Sequence, residues 1–140
     1  MLDIIKVPFN LLLGIIQANN TDYLLQLNAK EEYTNHIGTI HAAALFALAE
    51  ASGAQFMIKN FPTDLIDSVI PVLRKAEVTY KKPAKGVIVS NAKLKEGTID
   101  QVVHDLQIKK RALLVTVVEL FDEQKVKVFS ANFEWFVVLK

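Results

Sequence analysis

Asn35–Lys59 reads NHIGTIHAAALFALAEASGAQFMIK, and the fold turns on it. From Ile40 to Ile58 the run is long enough for about five helical turns. It is rich in alanine and leucine and holds no proline, which predicts one long helix. Gly38 supplies a turn ahead of it, and Thr39 a hydroxyl to cap the first exposed N–H groups. The helix is apolar nearly all round, so other structure must enclose it. Its polar members are His41, Glu50, Ser52 and Gln55. Glu50 is the anomaly, because a buried carboxylate without a partner is costly and shifts its pKa or finds donors. Ala43, Ala47, Ala51 and Ala54 lie within a turn or two of it, small enough for another backbone to approach. Two readings stay open. Either Glu50 meets solvent or a structural partner, or it is a site carboxylate tuned for acid–base or nucleophilic work.

The rest of the chain has to supply that enclosure. Its 140 residues predict a single domain, 1–140, large enough for a real core. Half of them are hydrophobic and the net charge is +1, which excludes disorder and gives no basic excess for nucleic acid. The absence of cysteine excludes disulfides, thiolate metal sites and a cysteine nucleophile, and is compatible with a reducing cytoplasm. Met1–Gln17 is apolar but too short to span a bilayer, so no stable membrane insertion is expected, and no small-residue cleavage site follows. Pro8 suits a first helical position, which makes residues 1–20 a helical extension packed on the domain.

Asp22–Ala29 alternates and predicts a half-buried strand with Tyr23, Leu25, Leu27 and Ala29 on one face. Asn60–Asp67 reads as a loop around Pro62. Val72–Tyr80 and Val87–Lys95 read as strands joined by Lys81–Gly86, most simply as an antiparallel hairpin. Thr98 and Gln101 have capping-box spacing, so a short helix is expected to about Lys109. Ala112–Phe121 reads as a central strand buried on both faces, and Val126–Leu139 as a long final strand. One antiparallel sheet wrapping one long helix, an α+β arrangement, satisfies this order.

At two places the sequence resembles the hotdog-fold acyl-CoA thioesterase superfamily. The branch it is most similar to holds the phenylacetate-pathway thioesterases and their uncharacterised, DUF4442-like relatives. The first place is Asn35, then Gly38-Thr39, then His41-Ala42-Ala43, with Glu50 nine positions after the histidine. The second is Val78-Thr79-Tyr80-Lys81-Lys82-Pro83-Ala84-Lys85-Gly86. The family carries two glycines where this chain has Ala42 and Ala43, and more often an aspartate where it has Glu50. The resemblance implies a hotdog fold, hydrolysis of acyl-CoA, no cofactor, a cytoplasmic location, and a homodimer or homotetramer with the site at the subunit interface.

Thioester hydrolysis needs an activated water or a nucleophile, and donors for the developing oxyanion. Glu50 is the candidate base or nucleophile. The N–H groups near Ala42 and Ala43, at the positive end of the helix, are the oxyanion candidates, and Asn35 would orient the water or carbonyl. Nine helical residues span roughly 13 Å, too far for both ends to grip one carbonyl, so the site is expected to join two subunits. His41 is read first as holding the loop. With His36, Gly38, Thr39, Ser52, Gln55, Lys81 and Lys82 it completes the set of candidate substrate contacts. Lys85 and the Lys109–Arg111 cluster are further basic groups that could meet the nucleotide of coenzyme A. His104 is expected to be exposed, and no histidine pair has the spacing of a metal site. The rivals are a non-catalytic acyl-CoA-binding hotdog domain, kept open by Ala42-Ala43, and a hotdog dehydratase, weakened by the lack of a proline in Asn35–Ala43.

Overall fold

Helix α2 (Ala42–Asn60) lies in the hollow of a curved sheet, and the side chains of both are chosen for that contact. The computed structural model describes residues 2–140; Met1, the first residue of the expected extension, lies outside them. The other elements are α1 (Pro8–Leu13), β1 (Ile16–Gln17), β2 (Leu25–Leu27), α3 (Thr63–Ile66), β3 (Val69–Tyr80), β4 (Ile88–Leu94), α4 (Ile99–Lys109), β5 (Arg111–Phe121) and β6 (Lys127–Leu139). The six strands are antiparallel, in the order β1-β2-β4-β5-β6-β3. This is the hotdog arrangement.

Alternation along β5 and β6 turns Leu114, Thr116 and Val118 inward, opposite Trp135, Phe133 and Ala131. Phe133 is fully buried and meets Phe46 of α2 edge-on at 5.5 Å between ring centroids. Burial of a ring of that size stabilises the fold by about 2–3 kcal/mol. The helix comes closest to the sheet at Gly53, where a Cβ would stand 2.9 Å from Thr116 Oγ1 and 3.1 Å from Trp135 Cζ2. The Trp135 indole N–H donates to Thr116 Oγ1 at 3.0 Å, so the two buried polar groups satisfy each other beneath the helix.

Several expectations need correction. The helix runs two residues later than expected at each end. His41, not Thr39, caps its start, and Pro62 holds Phe61 extended and stops it. The expected loop 60–67 contains the single turn α3. The strand expected over Asp22–Ala29 is confined to β2, all of it buried, Gln26 included. Central β5 is buried only on its inner face, and Leu113 on the outer face is exposed.

The hairpin is the largest departure. β3 pairs with β6 and β4 with β2 and β5, so the two strands stand three places apart. Three strand spacings need about 14 Å. The seven residues Lys81–Val87 reach roughly 25 Å, so they can cross the end of the sheet. They are tied on the way: Lys81 and Lys82 donate backbone N–H groups to the Val128 carbonyl, and Ala84 accepts from the Ile40 N–H at 2.8 Å. The crossing lays this connection beside the start of α2. It also leaves β3 at the edge, bonded to β6 on one side only.

Candidate functional site

The loop ahead of α2 is built around Asn35. Its Oδ1 accepts from the Ile37 and Thr39 N–H groups, each at 3.0 Å, and its Nδ2 donates to Thr39 Oγ1 at 2.8 Å. Its backbone N–H donates to the Thr39 carbonyl, closing a turn in which Gly38 takes φ 78°. Asn35 therefore shapes the loop, and one amide proton remains for a ligand. Thr39 serves the same loop and is buried.

His41 ends the loop with its Nδ1 accepting from the Ala43 N–H at 2.9 Å. Its carbonyl takes the N–H groups of Ala44 and Leu45. The expected pair of free donors thus reduces to one. Ala43 is engaged, and Ala42 alone in the first turn keeps an N–H without an acceptor among the described residues.

Two clefts flank that turn. One, of about 290 Å³, is lined by Asn35, Thr39, Ala42, Tyr80 and Lys82, among others. The other, of about 260 Å³, is lined by Phe9, Leu13, Glu32, Tyr33, His41, Ala43 and Ala44. Tyr80 was not foreseen as a site residue. Its hydroxyl donates to the Ala42 carbonyl at 3.3 Å, its ring meets Phe129 edge-on, and burial raises its pKa. The signal was its place at the end of an inward-facing series, just before Lys81-Lys82. His36, Gly38 and Lys81 are exposed near the first cleft without lining it.

Glu50 lines neither cleft. It is half-buried two turns along α2, and removal from water raises its carboxyl above the ordinary value of 4.5. No ion pair to it is formed among the described residues. Eight residues separate it from Ala42, or about 12 Å of helix. Ser52 is corrected outright. It is 0% exposed, and its hydroxyl bonds the Leu48 carbonyl and Ser90 Oγ, each at 2.6 Å. It fastens α2 to β4 inside the core and cannot meet a substrate. Gln55 is likewise buried among the core residues of α2.

A family model described as "Domain of unknown function (DUF4442)" matches residues 12–137. The chain belongs to the DUF4442 family. Among solved structures, this DUF4442 protein is similar to a Pseudomonas aeruginosa protein of unknown function described as a probable thioesterase. That match has 25% identity and a TM-score of 0.79, covering 96% of this chain and 89% of that one. A Bacillus halodurans protein solved with CoA matches at 16% identity and a TM-score of 0.64, over 81% of this chain and 70% of that one. A hypothetical thioesterase of Streptococcus pneumoniae, solved with coenzyme A, matches at 15% and 0.62, over 83% and 77%. No curated protein matches the chain. The DUF4442 protein is a thioesterase-like hotdog protein. No helix among its described residues is long and apolar enough to cross a membrane.

Proposed function

We propose that this protein hydrolyses acyl-CoA thioesters at a site shared by two copies, in the cytoplasm that its cysteine-free composition permits. The observation that carries the reading is Glu50: a half-buried, unpaired carboxylate made more basic by its surroundings, on the central helix of a thioesterase-like fold. The coenzyme A held by two of the similar structures supports the choice of carrier.

Glu50 takes a proton from water, and the oxygen of that water bonds to the thioester carbonyl carbon. The negative charge gathers on the carbonyl oxygen, where the free N–H of Ala42 from the other copy and the positive end of its α2 stabilise it. The intermediate collapses with cleavage of the C–S bond. The thiolate of coenzyme A leaves and recovers the proton from Glu50. Lys82, in the same cleft as Ala42, offers a cation to the phosphate-bearing arm. Tyr80 holds the first carbonyl of α2 and so positions the donor.

The second copy follows from reach and from the sheet edge. A single chain holds Glu50 and Ala42 about 12 Å apart. Edge strand β3 is twelve residues long, its outer side has no strand partner, its own Ile70 and Val72 are exposed, and Pro71 is its one residue without a backbone N–H. An edge of that length is a template for pairing, and a second β3 around a twofold axis is the occupant we assign to it.

A second reading, a non-catalytic acyl-CoA-binding domain, is favoured by one feature: His41 takes the Ala43 N–H and leaves a single free donor. Thiol release from a panel of short, medium, long and aryl acyl-CoAs separates the two. The wild type is expected to turn over, and Glu50→Gln, with fold and oligomer intact, to lose about 10²–10⁴ in rate. Turnover unchanged by the substitution discards this site. Tight binding with no release from any thioester establishes the binding domain instead.

A further inference from the structure

We propose that the cleft between α1 and the start of α2 receives the acyl tail of the thioester, with Phe9 and Leu13 setting the chain length it accepts. The inference rests on the acyl-CoA reading above and adds the direction in which the substrate lies.

Helix α1 is held in an unusual way. Six residues are too few for a helix to be stable alone. Polar anchors fix it at both ends. Buried Asn10 donates from Nδ2 to the Ile4 carbonyl at 2.9 Å, and the Tyr33 hydroxyl donates to the Leu13 carbonyl. So fastened, the helix leaves Phe9 60% and Leu12 79% exposed. Phe9 and Leu13, one turn apart, face Ala43 and Ala44 across the cleft. The methyl groups on the α2 side keep the channel open, and the two larger side chains form its far wall.

Charge decides which arm of the substrate enters. Ala42 lines the cleft that holds Lys82, and Ala43, the next residue, lines the cleft that holds Phe9. A carbonyl resting on the Ala42 N–H therefore has one arm on each side of the first turn. The lining of the Phe9 cleft includes no lysine or arginine and does include the acidic Glu32. The ammonium of Lys30 stands behind it, over the Tyr33 ring at 5.6 Å from the centroid. The cleft itself is therefore a poorer place for phosphates than the one lined by Lys82. The phosphate-bearing arm goes toward Lys82, and the apolar arm goes between Phe9 and Ala43.

The test uses non-hydrolysable S-alkyl-CoA thioethers, ethyl to dodecyl, for binding, and the matching acyl-CoAs for turnover. Wild type should bind up to about fourfold more tightly for each methylene buried, until the cleft is full. Leu13→Trp should fill the cleft and shorten the preferred chain, with S-ethyl-CoA binding within about twofold of wild type. Phe9→Ser, at an exposed position, keeps the test decisive if the tryptophan disturbs folding. It should weaken S-decyl-CoA by about tenfold and leave S-ethyl-CoA unchanged. Leu12→Ser, on the same helix but outside the cleft, should leave the whole series unchanged. Chain-length profiles insensitive to Leu13→Trp and Phe9→Ser, in an enzyme that still depends on Glu50, overturn the cleft assignment and spare the hydrolase. Chain-length-dependent binding that these substitutions alter, without turnover of any thioester, does the reverse.

Discussion

A site divided between two copies makes a numerical prediction through two substitutions that each leave the fold alone. Ala42 is the first residue of α2, the position at which proline is best tolerated, because its φ is already helical and its N–H has no helical partner. His41 before it holds φ −60° and ψ 139°, the extended geometry that a following proline requires. Ala42→Pro therefore deletes the proposed oxyanion donor and little else, and loss of one such donor lowers kcat by about 10²–10³. Glu50→Gln deletes the base, with a loss of about 10²–10⁴. Each variant alone should be nearly inactive. In a mixed dimer both defects fall in one of the two sites and the other site is intact. Equal amounts associating at random give half mixed dimers, so about one quarter of wild-type activity per chain should return. The assay is thiol release from the co-expressed mixture of the two differently tagged variants, and then from mixed dimers purified through both tags, in which one site of the two is intact and about half of wild-type activity per chain is expected. Mixed dimers no more active than the single variants would refute the shared site. Undiminished activity in Ala42→Pro would refute the donor.

The raised carboxyl of Glu50 also predicts a pH signature. Its native form holds its proton to a higher pH than the unfolded chain does, so its contribution to stability is present below about pH 4.5 and is lost as pH rises through the native value. Glu50→Gln should thus unfold at higher urea concentration than wild type at pH 7, with the gap closing toward pH 4; a variant no more stable at pH 7 counts against the desolvated carboxylate. Gly53→Ala sets a helix gain of about 1 kcal/mol against overpacking of about 1–3 kcal/mol on Thr116 and Trp135. The expected net loss is about 0–2 kcal/mol at an unchanged urea m-value, and a stabilised variant would show that the helix does not approach the sheet this closely.

Features decided by neighbours in sequence were legible, and those decided across the sheet were not. The capping box of Thr98 and Gln101 forms as its spacing predicts, because both partners lie within one turn. The pairing of β3 with β6 joins residues about sixty positions apart, and the alternation of each strand says nothing about which strand lies beside it. Ser52 misled for the same reason. A polar residue in an apolar helix reads as a site residue until its partner, Ser90, is known to lie on β4. Thr39 misled differently, since it had the usual capping chemistry, whereas the cap is the ring of His41, an uncommon one, in keeping with the reading of His41 as a residue that holds the loop. Glu50 was legible as an anomaly because the cost of burying a carboxylate depends on its apolar surroundings, which the flanking alanines and leucines announce. Tyr80 was missed because only the crossing of Lys81–Val87 brings its hydroxyl to the first carbonyl of α2.

Pairing through β3 would tie the chemistry of Glu50 to assembly. In one copy the carboxylate is half-buried and already less acidic than in water. A second subunit laid over it would remove more water and raise the carboxyl further, while bringing the Ala42 N–H that a single copy holds about 12 Å away. A stronger base and a donor within reach of the same carbonyl would then arise in one step, and an isolated chain would hold the two groups too far apart to share a substrate. Alanine at positions 42 and 43 suits this arrangement. Ala42 lines one cleft and Ala43 the other, so a thioester crossing the first turn would meet one of them on each side, with the donor on Ala42.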